Sequence, residues 1–191
     1  MYGAVHPRLP AGRLIAVTSL MVVLASCATL SPEEAEQKRR EIDAMSEAAI
    51  TRLIESRPEL KPSLDQAVGV AVADMSVTKI PVFGAGGGVG VIVDKRSNAR
   101  TYVKVSRFEI GGGMGVQSFK VILLVQDPKL MDEGMSGFWH FDAGADVAAG
   151  EKSAEGSVAS ASSGYQVFRL ADSGAIATVT VRTIRARPFL D

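Results

Sequence analysis

Few side chains in this sequence could carry out a reaction, and their spacing limits which one. Among 191 residues there are two histidines, His6 and His140, and one cysteine, Cys27. His140 stands in Trp139-His140-Phe141-Asp142-Ala143-Gly144-Ala145-Asp146. On an extended strand, positions two and six residues on would share a face with it, grouping His140, Asp142 and Asp146. One imidazole and two carboxylates are too few strong ligands for a zinc site, and a satisfied or exposed strand histidine is the commoner outcome. His140 is also the base that a Ser/His pair would need, yet no G-x-S-x-G turn accompanies it, because Ser118 lies in Gly115-Val116-Gln117-Ser118-Phe119. A hydrolase centred on His140 is therefore the weakest reading. No catalytic residue, no metal and no cofactor is assigned.

Two glycine-rich runs, Gly84 to Gly90 and Gly111 to Gly115, invite a phosphate-binding reading. Neither fits G-x-G-x-x-G, and no G-K-S/T follows at the spacing of a phosphate loop. Glycines inside strands mark bends, bulges and close backbone approach, which a strongly curved sheet requires. Positive charge gathers at Lys95, Arg96 and Arg100 in one turn, and at Arg182, Arg185 and Arg187 near the end. Turn charges are usually solvated. The alternative is contact with anionic lipid headgroups, where each Lys or Arg near the surface adds about 1 kcal/mol.

Cys27 has a more specific context. Arg8 and Arg13 precede an apolar run from Leu14 to Ala25 that is shorter than the roughly 20 residues of a membrane-spanning helix, so it reads as the core of an export signal. Leu24-Ala25-Ser26-Cys27 follows, and it resembles the lipobox of bacterial lipoproteins, in which the cysteine is acylated and becomes the new N-terminus. This resemblance implies that residues 1–26, His6 included, are a signal peptide and that Cys27 carries a covalent lipid anchor. Several acyl chains together hold a protein firmly to a bilayer. By resemblance to enterobacterial lipoprotein sorting, Ala28 rather than Asp after the cysteine implies the periplasmic face of the outer membrane.

The elements that must position these groups are legible beyond the anchor. Ser31-Pro32-Glu33-Glu34 is a capping box with proline at the first helical position. Ile42, Met45, Ala49 and Leu53 then recur at helical spacing, widened by Ile50 and Ile54, until Pro58 stops the helix near Arg57. This stripe is expected to pack on the rest of the domain, because charges of both signs fill the other face. A second helical piece is expected around Ser63 to Ala67. From Val68 the pattern changes to short β-branched alternation, as in Val68-Val70-Val72, Val89-Val91-Val93, Tyr102 to Val105, Phe119 to Val125 and Val179-Val181. Turns are expected at Asp94 to Asn98, at Ala171 to Gly174 and through Gly150 to Gly164. Asp127-Pro128 opens a short helix that Gly134 or Gly137 would end.

The expected fold class is α+β: an N-terminal helix, then a glycine-rich, twisted antiparallel sheet curled toward a barrel or sandwich, with a short helix near 127–135. The chain divides into signal (1–26), anchor, linker and amphipathic helix (27–63), and a β-rich domain (64–191). Charge is balanced at 21 basic against 21 acidic residues, with a pI near 6.7, so no broad basic surface suits a nucleic-acid backbone. With 47% hydrophobic residues the chain can fill a core, and its single cysteine cannot form an internal disulfide.

In order along the chain, Ala67-Val68-Gly69-Val70, Lys79, Gly86-Gly87 to Gly90, Gly111 to Gln117, Trp139 to Gly150 and Tyr165 to Val181 resemble the SYLF lipid-binding domain family over roughly residues 64 to 190. That resemblance implies a non-enzymatic membrane-lipid binder. Eukaryotic members favour phosphoinositides and fungal ones also bind actin. For a bacterial envelope protein the part that carries over is phospholipid headgroup binding, with Lys95, Arg96 and Arg100 as the candidate contacts. The competing reading is a passive envelope protein that contacts a protein partner.

Overall fold

A computed structural model describes residues 30–148, 158–160 and 164–190. By backbone contacts the chain divides into a short unit, Met1–Glu36, and a larger one, Gln37–Asp191. Cys27 and residues 1–26, expected to be a signal, lie outside the described residues. In the first unit the capping box is formed: Glu34 N–H donates to Ser31 Oγ at 3.2 Å, and Ser31 N–H donates to Glu34 Oε2 at 2.7 Å. This fixes the start of helix α1, Pro32–Ser56, which has Pro32 at its first position. A 3-10 turn, Pro58–Leu60, and a short helix α2, Lys61–Gln66, follow.

The rest is an open antiparallel sheet with one further helix. Its strands are β1 Gly69–Lys79, β2 Phe83–Asp94, β3 Ala99–Val125, β4 His140–Ala148, β5 Val158–Ser160 and β6 Tyr165–Pro188. Helix α3, Pro128–Met135, is capped by Asp127, whose side chain accepts from Lys129 N–H at 2.9 Å. It ends just before Gly137, where φ is +77°. The α+β class and the helix-then-sheet order agree with the sequence.

The long strands give the sheet its curl. β1 pairs antiparallel with β2 and with the second half of β3, while β2 pairs with the first half of β3. The two halves of β3 therefore run in opposite directions, and the strand folds over between Ile110, which pairs with Phe83, and Gly115, which pairs with Lys79. Gly113 and Gly115 both have φ +147° there, a region that L side chains disfavour. β6 follows β3 through the fold-over, with one register shift at Ser118/Phe119. Two sequence expectations are corrected here. Ala171 to Gly174 are not a turn but part of β6 beside that shift, and the stretch Gly150 to Gly164 contains the short strand β5, because pairing with a distant strand satisfies the backbone that local turn signals would have freed.

Alternation then sorts the side chains. Ala71, Met75 and Val77 of β1 face the inside of the curl with Ile92, Val103, Val105 and Phe119, and Met131 and Trp139 pack into this core beside Val125. The glycines of β2 at 84, 86, 88 and 90 fall at the same inward register. A Cβ on Gly88 would stand 1.7 Å from the carbonyl oxygen of Asp74, and one on Gly90 2.3 Å from that of Val72. Their spacing serves close strand approach, as expected for a tight curl. On the outer face Val70, Val72, Ile122, Leu124, Phe168 and Leu170 pack beneath Ala49 and Leu53 of α1.

Candidate functional site

The three cations singled out in the sequence lie in and beside the β2–β3 turn, where each has a partner within the fold. Arg96 makes a two-pronged contact with Asp94, Nε to Oδ1 and Nη2 to Oδ2, both at 2.9 Å, and its Nη2 also meets Asp132 of α3 at 2.5 Å. This pairing lowers the Asp94 carboxyl from 3.8 to about 2, the hydrogen bonds from Arg96 outweighing burial. Arg100 pairs with Asp43 of α1 at 2.6 Å, and Asp43 also accepts from the Tyr102 hydroxyl at 3.0 Å. Lys95 donates to the carbonyl oxygen of Leu64 at 2.7 Å, closing the end of α2. Lys95 and Arg100 line one cleft of about 330 Å³ beneath α1 together with Asp43, Glu47 and Asp65, while Arg96 turns toward α3.

His140 opens β4, opposite Arg185. The pairing of β4 with β6 shifts register between Ala143 and Asp146. The side chains of His140, Asp142, Asp146 and Arg182 lie outside the described residues.

Two groupings were not anticipated from the sequence. The first is inside the curl. Lys79 Nζ meets Glu109 Oε2 at 3.3 Å with side-chain exposures of 0% and 1%, and Arg107 pairs with the other oxygen of Glu109. Burial raises the Glu109 carboxyl and the two cations more than reverse this, leaving it below its ordinary value. Beside them Arg169 contacts Gln117, and its guanidinium lies 3.9 Å from the Phe119 ring centre. The alternation held the signal, since Lys79 continues the inward series Met75, Val77, and Arg107 and Glu109 continue Val103, Val105.

The second grouping is on the outer face, beginning two residues beyond Tyr102, whose hydroxyl donates to Asp43 of α1. Lys104 of β3 pairs in register with Arg187 of β6, and Ser106 with Arg185. All three cations are exposed, and among the described residues none is in an ion pair. Arg185 and Arg187 were noted in the sequence as charges near the end. Their alignment with Lys104 could not be, because it depends on the β3–β6 register.

Nearer the fold-over the same face becomes apolar. Phe108, Ile110, Met114 and Val116 are 50–69% exposed, as are Ile80 and Val82 at the β1–β2 tip. The tip is tied to the fold-over by Gly113 N–H donating to the carbonyl oxygen of Pro81 at 3.3 Å. No helix among the described residues is long and apolar enough to cross a membrane.

No family model matches the chain. Over 145 residues, 76% of its length, the chain is 27% identical to Beta cell expansion factor A of Aeromonas veronii. The alignment covers 55% of that protein, so the chain spans about half the length of the curated relative it matches.

Proposed function

We propose that this chain is a non-enzymatic lipoprotein of the bacterial envelope, anchored through Cys27 at the periplasmic face of the outer membrane, with a SYLF-like domain that binds phospholipid headgroups. The observation that carries this reading is the exposed row Lys104, Arg185 and Arg187 on adjacent strands. Cations with no ion-pair partner among the described residues keep their attraction for anionic headgroups, whereas Arg96 and Arg100 are already paired with Asp94, Asp132 and Asp43. A covalent tether would hold the row near headgroups and let a weak intrinsic affinity act. Lys95, Arg96 and Arg100 remain a second contact, weaker for the partners they would have to release.

Binding to vesicles containing phosphatidylglycerol tests this. Three charges at about 1 kcal/mol each amount to roughly a hundredfold in affinity at low salt. Neutralising Lys104, Arg185 and Arg187 to Gln should produce that loss, and added salt should reproduce it by screening. Equal treatment of Lys95, Arg96 and Arg100 should cost less affinity. Salt-insensitive binding, or binding unaffected by the first triple change, would remove headgroup recognition from this row.

A further inference from the structure

On the first half of β3 the outward positions read Lys104, Ser106, Phe108, Ile110, and on the second half, counted back toward the same fold-over, they read Lys120, Ser118, Val116, Met114. The two series mirror each other about Gly112: lysine, serine, apolar, apolar. An added Cβ on Gly112 would meet nothing within 4 Å, so the outermost point of the strand is open. The β1–β2 tip adds Ile80, Val82 and Phe83 at the same end.

No outward position from Ser106 to Ser118 is charged. The charges nearest in sequence, Arg107 and Glu109, face inward, where they pair with each other, and Glu109 also pairs with Lys79. The backbone of β3 stays paired with β6 across the whole fold-over, Gly111 with Thr180 through Gly115 with Ile176. Along β3 the outward side chains at this end are apolar, the nearest charges of the strand are internal and the backbone is paired with β6, so this strand can enter hydrocarbon with few stranded polar groups.

The dimensions match a single leaflet. Phe108 and Val116 each lie four residues from Gly112, about 13 Å along an extended strand. The hydrocarbon of one leaflet is about 15 Å deep, half of the roughly 30 Å bilayer core. Ser106, Ser118, Lys104 and Lys120 follow where headgroups begin; Arg185 and Arg187 lie beside Ser106 and Lys104, whereas Lys120 is paired with Asp172 at 2.7 Å and Asp74 at 3.6 Å, so the basic side of this level is that of Lys104. A basic level behind an apolar end is complementary to an anionic bilayer surface.

We propose that the fold-over of β3 and the β1–β2 tip insert into the hydrocarbon of one phospholipid leaflet, with Lys104, Arg185 and Arg187 at the headgroups. The proposal rests on the lipid-binding reading above and adds where, and how deeply, the bilayer is met.

The full chain with Cys27→Ser is free of cysteine, so single labels can be placed by Met114→Cys, Val82→Cys, Lys104→Cys and, on the exposed side of α1, Glu47→Cys. Each is read with vesicles of phosphatidylethanolamine and phosphatidylglycerol carrying a nitroxide quencher on the acyl chain or on the headgroup. Labels at 114 and 82 should be quenched from the acyl chain, the label at 104 from the headgroup, and the label at 47 from neither. Met114→Glu with Val116→Glu, both at exposed positions, should weaken vesicle partition by about a hundredfold with an unchanged melting temperature.

Unquenched labels at 114 and 82 on protein that floats with the vesicles, lost on neutralising Lys104, Arg185 and Arg187, would overturn insertion and leave headgroup binding standing. Protein that does not float would overturn both. Labels shielded in a concentration-dependent dimer without lipid would assign the apolar end to a second copy and overturn insertion.

Discussion

Lys79 Nζ and Glu109 Oε2 lie 3.3 Å apart at the inner surface of the curled sheet, both closed off from solvent. Attraction at such a site is set against the cost of taking both charges from water, so the pair is poor evidence of net stabilisation but costly to break from one side. Glu109→Gln would leave Lys79 and Arg107 without the carboxylate they share, and should destabilise the fold by about 3–5 kcal/mol in urea titrations. Lys79→Met should cost clearly less, because Arg107 still holds Glu109. Equal losses for the two variants would mean that Arg107 does not compensate.

Helix α1 is predicted to be part of the folded domain. Ala49 and Leu53 are each 2% exposed where the helix meets Val70, Val72, Ile122 and Leu124. Leu53→Ala should cost about 2–5 kcal/mol, the range for a leucine truncated in a packed core. An unchanged unfolding midpoint would show that α1 leaves the sheet in solution and that its apolar stripe serves another surface.

Acid should weaken the β2–β3 turn in a defined window. The Asp94 carboxyl is lowered in the folded protein from 3.8 to about 2, so its contribution is present above its unfolded pKa and is lost as pH falls from about 4 toward 2. Glu109, also lowered, acts in the same direction. Arg96→Gln removes the main cause of the Asp94 shift and should flatten the urea midpoint against pH in that window. A curve as steep as that of the unsubstituted protein would assign the acid sensitivity elsewhere, with Glu109 the first group to examine.

How much of this could be read from the sequence depended on distance along the chain. The start of α1 and the cap of α3 were legible because Ser31 and Glu34, or Asp127 and Lys129, are within three residues of each other. The continuity of β6 was not, since Ala171 to Gly174 carry ordinary turn composition and only the distant partner keeps them extended. Lys95, Arg96 and Arg100 read as one patch because they are neighbours in sequence. The fold turns Arg96 away to Asp132 while Lys95 and Arg100 share a cleft, held there by Leu64 and Asp43 respectively, partners 31 to 57 residues away. Conversely, Lys104 gains Arg185 and Arg187 as neighbours only through the β3–β6 register.

The glycines offer the sharpest test of the curl. At Gly88 an added methyl group would stand 1.7 Å from the carbonyl oxygen of Asp74 and 2.8 Å from its carbonyl carbon, both backbone atoms that cannot rotate away. Relief would require β1 and β2 to separate where Asp74 and Met75 pair with Val89 and Gly88. Gly88→Ala should therefore destabilise by at least the about 1–3 kcal/mol usual for an overpacked core. At Gly112 the same methyl group meets nothing within 4 Å, so Gly112→Ala should change stability by no more than the about 0.5 kcal/mol typical of surface substitutions. Melting of the two single variants under identical conditions decides the matter. If Gly88→Ala melts like the unsubstituted protein, β1 and β2 are farther apart in solution than the fold requires, and the inward glycines of β2 need another explanation.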